Sequence, residues 1–364
     1  MWRIDGSHIL RLRGGGGEPF TKFVDSLVRS QAYLELPDSE LRTTIRTNLS
    51  DGGVDTEICR PMPNDTTGWL GDHPTILQYK ATKYTELPCS KISKEVNKQY
   101  AATCIKKGYA YHICICDDPP AKEIEKREKC LNKYIKKINS DAPTGKVISA
   151  SDLAAWANRF PAVILEYFRP GMAQRCLYLK AWGDNITSLT REYVPIPTFE
   201  SISRQIIHHA NFTNDVPEVV LSISGEAGVG KTRLVYESLK DMSDFVIYTD
   251  DEPKAREIAR YLANDNTLRA ILVADECGVN GFLQLRDGLR GAKDRVRVIT
   301  IDNSGEHPFS ESPEPWLEKI PRDFVEVILE KNYPDIPLER RRAYADLAGG
   351  FVRLAADLCN NNDM

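Results

Sequence analysis

Within PFTKFVDSLVRSQA (19–32), apolar residues at 20, 23, 24, 27 and 28 recur at i, i+3, i+4, i+7 and i+8, the stripe of an amphipathic helix. The four glycines ahead of it, 14–17, read as a flexible lead-in. After turn residues at 50–53 the period changes: a short strand is predicted around 54–59 and another over 75–81 (TILQYKA), with a polar loop between them. Residues 90–107 read as a second helix. The run YAYHICIC (109–116) is rich in β-formers and predicts a buried strand, ended by Asp117-Asp118-Pro119-Pro120. A charged helix over 121–137, its face turned to solvent, crosses to a short strand at 146–149. A further helix covers 151–160, with Ser151 or Asp152 as its cap. Helix, strand, strand, helix, strand, helix, strand is the order of an α/β unit.

Val194-Pro195-Ile196-Pro197 is stiff and interrupts the pattern, so the domain boundary is placed near 195. The amino-terminal domain is then 1–194, with the segment up to Asp184 packed on it, and the second domain is 195–364. Beyond the boundary, strands predicted at 219–224, 245–249, 270–274 and 296–301 alternate with helices at 231–242, 253–264 and 278–290. That alternation predicts a doubly wound parallel sheet. The fold class is α/β in both domains.

Composition narrows the function classes. The chain of 364 residues is 41% hydrophobic and 27% charged, the balance of a folded globular protein. No window reaches the ~20 apolar residues of a membrane span, so no membrane partner is expected. A formal net charge of −4 excludes a polybasic nucleic-acid binder, and any DNA contact must come from local groups such as Lys83, Lys91, Lys94 and Lys98. Nine cysteines show no CxxC pair; Cys114 and Cys116 read as free buried thiols, and the usage suits a reducing, cytoplasmic setting.

The strongest motif is Gly225-Glu226-Ala227-Gly228-Val229-Gly230-Lys231-Thr232, which fits GxxxxGK[ST] between an apolar strand and an amphipathic helix. Glycines let successive backbone N–H groups turn inward, and the following helix presents the positive end of its dipole, so the loop is suited to a polyphosphate. Lys231 would neutralise the β- and γ-phosphates of ATP, and Thr232 would ligate Mg²⁺. Further on, an apolar strand ends in Asp275-Glu276. Asp275 would hold the Mg²⁺, largely through water, and Glu276 would polarise an attacking water. Thr300, Asp302 or Asn303 would supply a polar sensor on the γ-phosphate side.

These residues, with Arg233 completing GKTR at 230–233 and the late segment GGFVRLAADL at 349–358, resemble the STAND branch of AAA-like P-loop ATPases over about 200–358. The resemblance implies that the last helix belongs to a lid over the nucleotide. Arg353 is then a sensor or a plain surface arginine, and Arg290, Arg295 or Arg297 would reach into a neighbour's ATP. It also implies a sensor region after the lid, so the sequence is expected to be a fragment or a truncated homologue.

At the other end, Asp55 in DGGVDTE and Gln78-Tyr79-Lys80 each sit on or at the mouth of a predicted strand. Adjacent strands would bring them together, with Asp55 and Gln78 on a divalent cation and Lys80 stabilising phosphate charge or positioning the water. This pattern resembles the PD-(D/E)XK nuclease superfamily in its Mrr-like groups, over about 14–118, with Gln78 in place of the usual acid. The resemblance implies a further carboxylate at Glu18 and a restriction-endonuclease-like fold. Joined to the ATPase, it resembles the antiviral STAND proteins of prokaryotic defence. That implies a phage protein as trigger, acting through a sensor region outside this sequence, ATP-dependent assembly into a homo-oligomer of four or more chains, and Mg²⁺-dependent cutting of double-stranded DNA. The rival expectation is a nucleotide-operated scaffold whose amino-terminal domain binds without cutting. His208-His209, just ahead of the ATPase core, reads as a linker or adenine-edge pair.

Overall fold

The computed structural model describes residues 3–32, 36, 40–43, 52–63, 65, 67–168, 176–186, 190–303 and 315–361. The turn residues 50 and 51 therefore lie outside the described residues. The chain divides into two compact units, Met1–Phe168 and Arg169–Met364.

The first unit runs α1 (Gly6–Ile9), α2 (Glu18–Ala32), β1 (Leu41–Thr43), β2 (Thr56–Ile58), β3 (Thr75–Lys80), α3 (Cys89–Val96), α4 (Gln99–Lys106), β4 (Ala110–Ile115), α5 (Ala121–Ile138), β5 (Val147–Ile148), α6 (Ala150–Ala157) and α7 (Pro161–Phe168). Its sheet has the order β1-β2-β3-β4-β5; β1, β2 and β3 pair antiparallel, and β3, β4 and β5 pair parallel. The stripe on α2 is fully buried at Phe20, Phe23, Val24, Leu27 and Val28. All six residues of β4 are buried, as an interior strand with helices on both faces requires.

Several local expectations change. The start of the chain is tied down: Ile4, Ile9 and Leu12 are buried, and Arg13 donates to Cys116 O at 2.7 Å and pairs with Asp117 at 2.8 Å. The glycines 15–17 form a 3-10 turn rather than a loose lead-in. The single helix expected over 90–107 is two, because Lys98 is extended and Ala101 N–H donates to Gly52 O at 3.2 Å. The cap of α6 is Ser149, not Ser151 or Asp152: Ser149 and Asp152 form a reciprocal capping box. Strand β1 has too few residues for a period to show in the sequence. Cys89 and Cys130 are joined as a disulfide that the spacing did not signal, while Cys114 and Cys116 are free and buried.

The second unit runs β6 (Leu177–Tyr178), α8 (Leu179–Asn185), α9 (Glu200–Ala210), β7 (Val220–Gly225), α10 (Lys231–Ser238), β8 (Val246–Thr249), α11 (Glu252–Asn264), β9 (Ala270–Ala274), α12 (Val279–Leu289), β10 (Val296–Ile301), β11 (Trp316–Leu317), α13 (Arg322–Asn332), α14 (Leu338–Ala348) and α15 (Val352–Asn360). The sheet order is β11-β7-β10-β9-β8-β6, parallel except for β6. Both units are thus α/β.

Residues 176–184 of the segment expected on the amino-terminal domain belong to the second unit. Leu177 and Tyr178 pair antiparallel with β8, and Trp182, fully buried, stacks on Tyr248. Packing therefore divides the chain before 169 rather than near 195. The stretch 190–194 is also held: Arg191 lies over the Tyr333 ring at 4.3 Å and Lys331 pairs with Glu192 at 2.8 Å. Among the described residues, no helix is long and apolar enough to cross a membrane.

Candidate functional site

Strands β7, β10 and β9 lie side by side and parallel, so their carboxyl ends open on one edge. The loop after β7 carries 225–230, β9 delivers Asp275 and β10 delivers Asp302. Because β10 stands between the other two, Asp302 leaves the sheet between the ends of β7 and β9. Of the three possible sensors, Asp302 is thus the one whose charge acts on Lys231, while Asn303 is exposed and Thr300 is buried within the strand.

Gly228 shows what the loop requires. Its φ of +87° is in the left-handed region, and a Cβ there would meet the Arg353 side chain at 3.3 Å. Arg353 N–H donates to Gly228 O at 3.2 Å, which brings the start of α15 onto the loop, while the arginine side chain stays exposed. Lys231 is 3% exposed and its ammonium donates to Gly225 O and Glu226 O, each at 2.7 Å. Burial lowers its pKa, and the charges of Asp275, Asp302 and Glu226 oppose that. Glu226 itself pairs with Lys319 at 3.2 Å. Val229 is buried in the loop's underside and Ala227 is exposed.

Thr232 Oγ1 donates to Asp275 Oδ2 at 2.9 Å. A hydroxyl that gives its proton to a carboxylate keeps its lone pairs for a cation, so the residue types of this pair suit a divalent ion. Asp275 Oδ2 also accepts from the Tyr248 hydroxyl at 3.1 Å, and Oδ1 accepts from Glu276 N–H at 2.9 Å. Burial raises the Asp275 pKa, and burial with the Asp275 charge keeps the Tyr248 phenol protonated as a donor. Glu276 holds a φ of +53°, uncommon for a side-chain-bearing residue, and its side chain is exposed. Arg233 faces away from the loop: it pairs with Glu237 at 2.7 Å and donates to Arg191 O at 2.8 Å.

Two of the three residues considered for a neighbour's nucleotide are corrected. Arg295 and Arg297 are buried at the amino end of β10, far along the strand from the loop. They donate to Leu262 O at 2.7 Å and to His209 O at 2.8 Å respectively. Only Arg290 of the three is exposed. His209 is likewise a core group, its Nε2 at 3.1 Å from Val298 O, and not a linker or adenine-edge residue.

In the first unit, register decides what meets what. Thr56 pairs with Leu77, so Asp55 stands beside Gln78, and Lys80 follows two residues on along the same face. Gln78 Nε2 donates to Asp55 Oδ2, which also accepts from Tyr79 N–H at 2.6 Å. Asp55 is 8% exposed and Gln78 1%. The structure thus sets Asp55 against Gln78 and puts Lys80 on the same face of β3. Residue types suit a hard cation, but it is the amide nitrogen of Gln78 that faces Asp55; presenting the oxygen takes a half-turn of the amide. Among the described residues, no group of three or more His, Cys, Asp or Glu is arranged to hold a metal ion.

Glu95 is the residue the sequence reading missed. Its Oε1 pairs with Lys80 Nζ at 2.9 Å and its Oε2 with Lys98 Nζ at 2.7 Å. Gly53, at φ +88°, sits so tightly on α3 that a Cβ would come 2.7 Å from Glu95 O, which fixes the mouth of β2 against this helix. The signal was present: Glu95 adjoins the buried Ile92 and Val96 on the apolar side of α3, where a lone carboxylate needs a reason. Glu18 opens α2 close by, since a Cβ on the preceding Gly17 would come 2.9 Å from Ala81, but its carboxylate is exposed and paired with Lys22 at 2.7 Å. Lys83 and Lys94 are exposed, whereas Lys98 is engaged by Glu95.

No protein-family model matches the chain, and no curated protein matches it. Among solved structures, the chain is similar to one described as "Structural Basis for Katanin Self-Assembly", at 17% identity and a TM-score of 0.33, over 53% of this chain and 74% of that one. A likeness of that size carries no argument about fold or function.

Proposed function

We propose that the second unit is a nucleotide-operated ATPase switch of the STAND type and that the first is a Mg²⁺-dependent DNA endonuclease which assembly of the switch activates. The observation that carries the reading is the meeting of Lys231, Thr232, Asp275 and Asp302 at the carboxyl ends of three adjacent strands. When bound, Mg²⁺ would neutralise phosphate charge and polarise the terminal phosphorus. Lys231 would leave its own loop carbonyls for the β- and γ-oxygens, Thr232 would turn its lone pairs to the cation, and Glu276 would accept a proton from water. The resemblance of Asp55, Gln78 and Lys80 to a nuclease centre, with Asp55 beside Gln78 on neighbouring strands of a mixed sheet, supports the second half.

Calorimetric titration of ATP with Mg²⁺ tests the switch. Lys231→Ala should weaken binding by on the order of 100-fold, since hydrogen bonds to charged groups are worth about 1.5–3 kcal/mol each. An unchanged affinity sinks the phosphate-loop reading. For the nuclease, supercoiled plasmid with ATP and Mg²⁺ should be nicked by the wild type and left intact by Lys80→Ala. The scaffold reading has its own observation: Lys80 and Asp55 already have protein partners in Glu95, Gln78 and Tyr79. It prevails if concentrated wild-type protein leaves plasmid whole, or if Lys80→Ala nicks as fast.

A further inference from the structure

Asp275 Oδ2 accepts two hydroxyls, and only one belongs to the phosphate loop. Thr232 donates at 2.9 Å from α10; Tyr248 donates at 3.1 Å from β8, where it pairs with Val273 two residues ahead of Asp275. Tyr248 is 4% exposed, and its ring is stacked on Trp182 with centroids 4.2 Å apart and planes 11° apart. Trp182, fully buried in α8, meets Tyr236 of α10 edge-on at 5.2 Å. A ring held this way has no room to swing, so its hydroxyl is delivered at one point. Phenylalanine would fill the same core equally well, and burying a hydroxyl is unfavourable unless it is bonded. This one is bonded to the carboxylate that faces the Thr232 hydroxyl, not to a main-chain carbonyl.

We propose that Tyr248, clamped by Trp182, is a positioning residue for the Mg²⁺ end of the nucleotide site, fixing the Asp275 carboxylate in the orientation that receives a hydrated divalent cation. The proposal rests on the ATP reading of 225–232. Without the phenol, Asp275 keeps Thr232 and the Glu276 N–H. Thr232 must also turn its oxygen to the cation, so the carboxylate loses the one side-chain donor that has no second task. Among the described residues the Tyr248 hydroxyl donates to Asp275 and not to the loop 225–231, so nucleotide affinity without metal should not depend on it.

The experiment is calorimetric titration of ATP into the full chain in excess EDTA and in excess Mg²⁺, for wild type, Tyr248→Phe and Trp182→Phe. Tyr248→Phe should match wild type in EDTA within about twofold and lose on the order of tenfold of the gain that Mg²⁺ gives, the usual cost of removing a group that orients a metal ligand. Trp182→Phe, which keeps the hydroxyl but loosens the clamp, should show a smaller loss of the same kind. An undiminished Mg²⁺ gain in Tyr248→Phe overturns the proposal. So does an equal loss with and without metal, which is what general damage to the core gives. A wild type that binds no ATP under either condition overturns the ATP reading itself, a result distinct from both.

Discussion

Two histidines make the single residue a measurable quantity. His112 is buried on β4, its Nε2 at 2.9 Å from Trp69 O and its Nδ1 accepting from Lys146 N–H at 3.0 Å, a pattern only the neutral ring satisfies. Burial pushes its pKa down to about 4; His209, in the other unit, is also pushed to about 4, by burial and then by Arg297. The unfolded chain therefore takes up these protons first as the pH falls through about 6.5. The stability the neutral rings give is whole above that point, drains away towards pH 4 and levels off below it. At about 1.4 kcal/mol per pH unit, each unit should lose roughly 2 kcal/mol by pH 5. Thermal unfolding should show two transitions that both fall between pH 7 and pH 5. His112→Gln, which keeps a donor and an acceptor, should flatten the first unit's dependence alone. Midpoints that stay put over that range contradict the buried neutral rings.

Among elements, α3 shows how packing recruits chemistry. Its apolar stripe was visible through Ile92 and Val96, yet the function of its face was not, because Glu95 acquires meaning only when β3 delivers Lys80 to it. The helix is also tethered: Cys89, its first residue, is bonded to Cys130 of α5 across 41 residues of chain. Closing a loop of that length restrains the unfolded chain by about 4 kcal/mol in the entropic model. Reduction with a small thiol should lower the first unit's unfolding midpoint and leave the second unit's transition in place; two unmoved transitions would rule the tether out as a stabilising element. The other elements divide by length and period. Long amphipathic helices such as α2 and buried strands such as β4 were legible. The edge strands β1, β6 and β11, of two or three residues each, were not, although β2 and β5, equally short, were expected at 54–59 and 146–149.

For the whole molecule, the proposed coupling predicts that ATP with Mg²⁺ raises the sedimentation coefficient and that Lys231→Ala abolishes the rise. A coefficient indifferent to nucleotide removes the assembly step while leaving the binding site in place. What the sequence determined by itself is local: the phosphate-loop spacing, the acidic end of β9, the Asp55 and Gln78-Tyr79-Lys80 pair of strands, and the α/β alternation. Each of these is written in consecutive residues through side-chain period and backbone preference. Only the tertiary structure decided that 176–186 joins the second unit, that Arg295 and Arg297 are buried away from the loop 225–230, and that Glu95 and Tyr248 stand against Lys80 and Asp275. Those are contacts between residues distant along the chain, fixed by strand order and by which surfaces must be buried together, and no short window of sequence holds that information.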